Sequence, residues 1–166
     1  MQGAGLCNAG PIIAVDTVPA KLTIAQEFGA THGVLAGPDT LEEIQSLTGG
    51  RGADYVFEAI GLPSVQEEAF EAARPGGTLV VVGVAPIESK TSIPGFQLHV
   101  QEKRILGSLY GSCDTRREFP LLLDLYKDGK LKLDELISRE YRLEEINEAY
   151  EILLQGETKR GIIVFD

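Results

Sequence analysis

TLVVVGVAP, residues 78–86, is the stretch on which the fold turns. Residues 78–82 are almost entirely apolar, with none of the in-out alternation of a strand that keeps one face wet. Such a run suits a strand covered on both faces, as in a parallel sheet. RPGG (residues 74–77) just ahead reads as a turn.

On either side, short apolar runs alternate with helical patterns. PIIAVD (residues 11–16) is too short for a helix and reads as a strand. Residues 19–28 predict a helix, with Pro19 in the first turn, Leu22, Ile24, Ala25 and Phe28 facing inward, and Gly29 as the stop. A brief strand follows at residues 33–35. In DTLEEIQSLTGG (residues 39–50), Asp39 or Thr40 is the expected N-cap, with Glu42 and Glu43 in the first turn. Residues 55–60 predict a third strand. Ser64 is expected to cap a helix running to residue 73, with Glu67 completing a capping box. KRILGSLYG (residues 103–111) supplies a further strand. Helices near residues 116–127 and 143–154 and a strand at residues 161–165 complete the pattern; the acidic LEEINEAYE (residues 143–151) reads as a helix with a solvated face. This alternation predicts a doubly wound α/β sheet. Ligands of such sheets bind beyond the carboxyl ends of the strands. That directs attention to Asp16, residues 59–61 and residues 82–85.

The bulk composition narrows the function. The chain has 166 residues, 43% hydrophobic and 24% charged, enough for one domain with a real core. A net charge of −10 argues against nucleic acid and anionic membranes as partners. No apolar run approaches a membrane span, and residues near Met1 lack a signal-peptide pattern. Two cysteines, Cys7 and Cys113, give no disulfide framework, so a cytoplasmic setting is expected.

GAGLCNAG (residues 3–10) resembles a phosphate-binding turn, but it fails the physical requirements. Such a turn follows a strand and has G-x-G-x-x-G spacing. Only Met1 and Gln2 precede Gly3, and the third glycine position falls on Asn8. The better reading is the tail of a helix over residues 1–9, ended by Gly10. His32 and His99 have no partners at metal-ligand spacing. No Tyr-x-x-x-Lys pair and no G-x-S-x-G occur.

Seven segments in order carry a resemblance: AGPIIAVD, the spacing on to Lys21, EFGAT, TGGRGADYVFEAIG, RPGGTLVVVGV, EKRILGSLYGS and LLQGETKRGIIVF. Together they resemble the C-terminal part of the medium-chain, zinc-type alcohol dehydrogenases. The resemblance implies a Rossmann-like doubly wound parallel sheet lacking its first strand and glycine turn. On this template residues 1–108 are an incomplete NAD(P)-binding domain, and residues 109–166 return to the catalytic domain. The chain is then expected to be a fragment, inactive alone. Strands 11–16 and 55–60 would each lack the neighbour between them. They would pair directly, take a strand from another chain, or leave the fold molten.

The resemblance also implies roles. Asp16 would accept hydrogen bonds from the adenosine ribose and favour NAD over NADP, and Lys21 would touch the same ribose. Ala59, Ile60 and Gly61 would flank the cofactor. Val82, Gly83 and Val84 would line the nicotinamide, with Tyr110 contacting it through its backbone. Arg160 would pair with the pyrophosphate, which suits a guanidinium. NAD is the implied cofactor. Zinc belongs to the family, but its ligands are not expected in this chain. The implied activity is hydride transfer from an alcohol, with a small alcohol or aldehyde as partner. Copies would pair through the edge region of residues 92–106, whose plainer reading is a connecting loop. Two alternatives stand beside this: a zinc-free relative of the quinone or enoyl reductase kind, and a non-catalytic nucleotide-binding domain.

Overall fold

A computed structural model describes residues 1–156 and 159–165. In chain order the elements are α1 (Gln2–Leu6), β1 (Ile13–Asp16), α2 (Pro19–Glu27), β2 (His32–Leu35), α3 (Thr40–Leu47), β3 (Ala53–Glu58), α4 (Pro63–Ala72), β4 (Ala73–Val81), α5 (Gly95–Val100), β5 (Arg104–Gly107), α6 (Thr115–Lys127), β6 (Ile137–Tyr141), α7 (Ile146–Gln155) and β7 (Arg160–Ile163), with short 3-10 turns between some of them. The alternation read from the sequence is present, and the fold is α/β with parallel sheets.

Among the described residues the strands do not form one continuous sheet. They fall into three: β1 with β2, β3-β4-β5, and β6 with β7. By compactness the chain divides into two units, one of residues 1–33 with 115–166 and one of residues 34–114.

The second unit holds an apolar core cluster of its own. β4 lies between β3 and β5, parallel to both, with Tyr55 opposite Thr78 and Leu79 opposite Ile105. The apolar run does occupy the central strand, as its composition demanded. Thr78 and Leu79 are buried, whereas Val82 lies just past the strand end and is 42% exposed. α4 presses Ala69 and Phe70 onto Leu79, with Val56, Val81, Ile93 and Leu98 around them. Burying each large apolar side chain here contributes about 1.5–3 kcal/mol. Lys103 closes one side of this core. Its Nζ donates to the Phe70 carbonyl at 2.8 Å and sits 4.4 Å from the Phe70 ring centroid. That carbonyl lies in the last turn of α4, where helical carbonyls lack internal partners.

Two expected caps differ. α4 starts at Pro63, with Leu62 as the N-cap and no side-chain cap bond. Proline's fixed φ serves the first helical position, so Ser64 falls inside the helix. Glu67 instead accepts from the Ser92 backbone N–H at 2.8 Å. Asp39 is the N-cap of α3 but makes no capping bond; the Thr40 hydroxyl binds Gly37 instead.

The first unit is assembled from the two ends of the chain. The Gln2 side-chain amide bonds both the carbonyl and the N–H of Lys132, at 2.9 and 2.7 Å. Lys132 Nζ reaches the Glu27 carbonyl, and Lys159 Nζ reaches the Glu27 carboxylate at 2.6 Å. α1 is short and makes no strand-to-helix turn. The helix expected over residues 1–9 ends earlier, at Leu6 with Cys7 as its C-cap, and Asn8 at φ +54° turns the backbone away, so Gly10 is not its stop.

Candidate functional site

Asp16 closes β1. Its Oδ1 accepts from the Val18 N–H at 2.9 Å, which fixes the half-buried carboxylate at the strand end. The local cause is the sequence Asp16, Thr17, Val18: a short acidic side chain readily bonds the backbone two residues on. Lys21 lies in the first turn of α2, which Pro19 starts. Its ammonium sits beside Gly156, the left-handed C-cap of α7; a Cβ there would lie 3.6 Å from Nζ. Arg160 opens β7 and is exposed. The Ser138 hydroxyl donates to its carbonyl at 3.0 Å and accepts from its N–H at 3.2 Å, pinning the backbone. Among the described residues its guanidinium makes no ion pair. These three lie in the first unit.

Ala59, Ile60, Gly61, Val82, Gly83, Val84 and Tyr110 lie in the second unit. The carboxyl ends of β3 and β4 are brought together through glycine. Gly61 has φ +86° and is buried, and a Cβ on it would fall 2.8 Å from the Val84 nitrogen. A Cβ on Gly83 would lie 2.8 Å from the Gly61 Cα. Only glycine at both places lets the two turns touch backbone to backbone. Around this contact Ile60 is 64% and Val84 87% exposed, an apolar rim open to solvent. Tyr110 follows β5 in a 3-10 turn, with φ +48° and its ring largely exposed.

One residue of this rim was not singled out from the sequence. Glu58, the last residue of β3, is buried. Its Oε1 accepts from the N–H groups of Ile60 and Gly61 at 2.6 and 2.7 Å. Its backbone carbonyl accepts from those of Val82 and Gly83 at 2.8 and 2.9 Å. The signal in the sequence is a lone carboxylate inside an apolar strand, three residues before a glycine.

A zinc ion does not fit here. Among the described residues no three His, Cys, Asp or Glu side chains converge. Cys7 is exposed, Cys113 is half-buried, and His32 Nδ1 bonds the Thr31 hydroxyl at 2.8 Å. The first unit offers a fixed carboxylate at a strand end; the second, taken by itself, offers an apolar, glycine-paired rim at the ends of two parallel strands. No helix among the described residues is long and apolar enough to cross a membrane.

The sequence pattern of the family described as zinc-binding dehydrogenase matches residues 1–128. Alcohol dehydrogenase-like 5 of Arabidopsis thaliana is 39% identical, aligned over 98% of this chain and 42% of its own length. The benzyl alcohol dehydrogenase of Acinetobacter calcoaceticus superposes with a TM-score of 0.93 at 32% identity, over 99% of this chain and 45% of that one. A solved NAD-dependent alcohol dehydrogenase superposes with a TM-score of 0.83 at 28% identity, over 99% and 46%. The chain belongs to the zinc-binding dehydrogenase family, whose matched members are oxidoreductases. It spans less than half the length of these relatives.

Proposed function

We propose that these residues are the cofactor-binding part of an NAD-dependent alcohol dehydrogenase, zinc-dependent in its complete form. Residues 1–108 would be the incomplete dinucleotide-binding domain, and residues 109–166 the segment returning to the catalytic domain. The observation that carries this reading is the Asp16 carboxylate, held at the end of β1 by the Val18 N–H. A carboxylate so placed accepts from both ribose hydroxyls and repels a 2′-phosphate. Lys21 and Arg160 would serve the ribose and the pyrophosphate. Ala59, Ile60, Gly61, Val82, Gly83 and Val84, with Tyr110, would serve the nicotinamide end. When bound, the nicotinamide takes the hydride from the alcohol carbon. No step is assigned to zinc on these residues.

Pairing of copies along β5 and residues 92–106, where β5 is exposed along its length, belongs to the same proposal, as does a cytoplasmic location. Among the described residues no G-x-G-x-x-G turn follows a strand. A pyrophosphate would therefore miss its helix N-terminus, and NAD binding by the chain alone is expected to be much weaker than micromolar. Calorimetric titration with NAD and NADP tests the reading. NAD should bind more tightly than NADP, and Asp16→Asn should cost NAD about tenfold, as loss of a charged hydrogen-bond acceptor does. Preference for NADP in the unaltered chain would overturn it in favour of the zinc-free relatives.

A further inference from the structure

Glu58 is an expensive residue for its position. It is 2% exposed, and its Oε2 is buried with no hydrogen-bond partner among the described residues. Burying a carboxylate is unfavourable unless its oxygens are well used. Oε1 is used twice, by the Ile60 and Gly61 N–H groups. The carbonyl of the same residue is also used twice, by Val82 and Gly83. One residue thus gathers four amides from the turns that follow two neighbouring strands.

We propose that Glu58 is a positioning residue: its carboxylate fixes the Ile60–Gly61 turn while its backbone carbonyl holds Val82 and Gly83, so that the ends of β3 and β4 present one fixed backbone rim to the nicotinamide half of the dinucleotide. The inference rests on the reading of this rim given above. A merely structural carboxylate would support the whole unit. A positioning one acts on the rim and on the ligand half that lies there.

Two variants separate these roles. Glu58→Gln keeps an acceptor oxygen for the two amides. Glu58→Met fills the same volume and leaves them unpaired. In the ligand-free full chain, amide exchange followed by nuclear magnetic resonance should speed up by about tenfold or more at Ile60 and Gly61 in Glu58→Met, as loss of a buried hydrogen-bond partner does. Leu79, in the core, should keep its protection. Glu58→Gln should stay within about threefold of the original at all of these sites. Unchanged exchange at Ile60 and Gly61 in Glu58→Met, or equal loss at Leu79, would overturn the proposal. If Glu58→Met does not fold, the unaltered chain decides: the Ile60 amide, in a largely exposed residue, should exchange about tenfold or more slowly than an open peptide amide, and equality would overturn the proposal.

Titration of the full chain with millimolar ADP and NAD reads the ligand half. In Glu58→Met the ratio of NAD to ADP affinity should fall, and Glu58→Gln should restore it. Equal losses for both nucleotides would overturn the nicotinamide role. If the unaltered chain binds neither, the dinucleotide reading itself fails, and the nicotinamide role with it.

Discussion

Gly61 and Gly83 meet backbone to backbone at the ends of β3 and β4, with no room for a methyl group on either. Gly83→Ala should therefore destabilise the chain by about 1–3 kcal/mol through overpacking alone. Gly61→Ala should cost more, because φ +86° adds backbone strain of about 1–3 kcal/mol. Urea unfolding gives the comparison; equal stability of either variant with the unaltered chain would contradict the contact.

Lys103 and Tyr126 make opposite contributions in alkali. Burial holds the Lys103 pKa below its ordinary 10.5, against the raising influence of Glu71. Between the lowered value and 10.5 the unfolded chain carries a proton that the folded chain lacks, so stability from this group rises with pH. Tyr126 donates to Asp134 at 2.7 Å, and that bond raises its pKa above 10.0. Above 10.0 the folded chain keeps a proton that the unfolded chain has lost, so this contribution falls with pH. Against the unaltered chain, the slope of stability with pH over about pH 8–11 should turn more negative in Lys103→Met and more positive in Tyr126→Phe. Identical slopes by denaturant titration would refute both assignments.

At the acid end, Arg74 Nε donates to Asp54 Oδ1 at 2.5 Å, and that bond holds the Asp54 pKa below 3.8. The stabilisation is present above 3.8 and is lost as pH falls through the lowered value. Both side chains are substantially exposed, so Asp54→Asn should cost no more than about 1 kcal/mol at neutral pH. The difference from the unaltered chain should vanish in strong acid; a constant difference would mean that the carboxylate charge is not involved.

β3 is an edge of its sheet, and Tyr55 and Phe57 stand 65% and 64% exposed along it. An apolar open edge is a template for pairing with further strands. The chain should self-associate as its concentration rises, and Phe57→Lys should reduce this without lowering the unfolding midpoint. Sedimentation velocity across a concentration series checks it; a concentration-independent monomer would remove the argument.

The long periodic elements could be read directly from the residues because each has one dominant cause. Residues 79–81 are apolar throughout and lie in the central strand. Pro19 and Gly29 bracket α2 as expected. Other elements have weaker local causes. α5 is a six-residue helix inside a segment read as a loop, with Pro94 rather than a polar side chain at its N-cap. β6, ISREY, is mostly exposed and polar, and β7 gives it its shape by pairing. Asp16 was legible as the residue that ends a strand, which the structure bears out. Glu58 escaped because its work is done on backbone amides, which leave no trace in side-chain patterning. The break between the β1-β2 and β3-β4-β5 sheets falls where a strand was expected to be missing, whereas the separate β6-β7 pair was not legible, since pairing between distant strands depends on which edges meet.

The borders of the compact units have a consequence for how this polypeptide can be taken apart. Residues 34–114 are a single uninterrupted span containing their own Phe70–Leu79 centre, while the remainder is two separate stretches clasped through Gln2, Glu27, Lys132 and Lys159. Exchanging this span with that of a relative takes two cuts in the gene, of which the one at Gly33 falls inside β2, a strand paired with β1, so a graft has to carry β2 whole on one side of its junction. The clasped remainder offers no such simple graft, because neither of its pieces carries the other's half of the clasp.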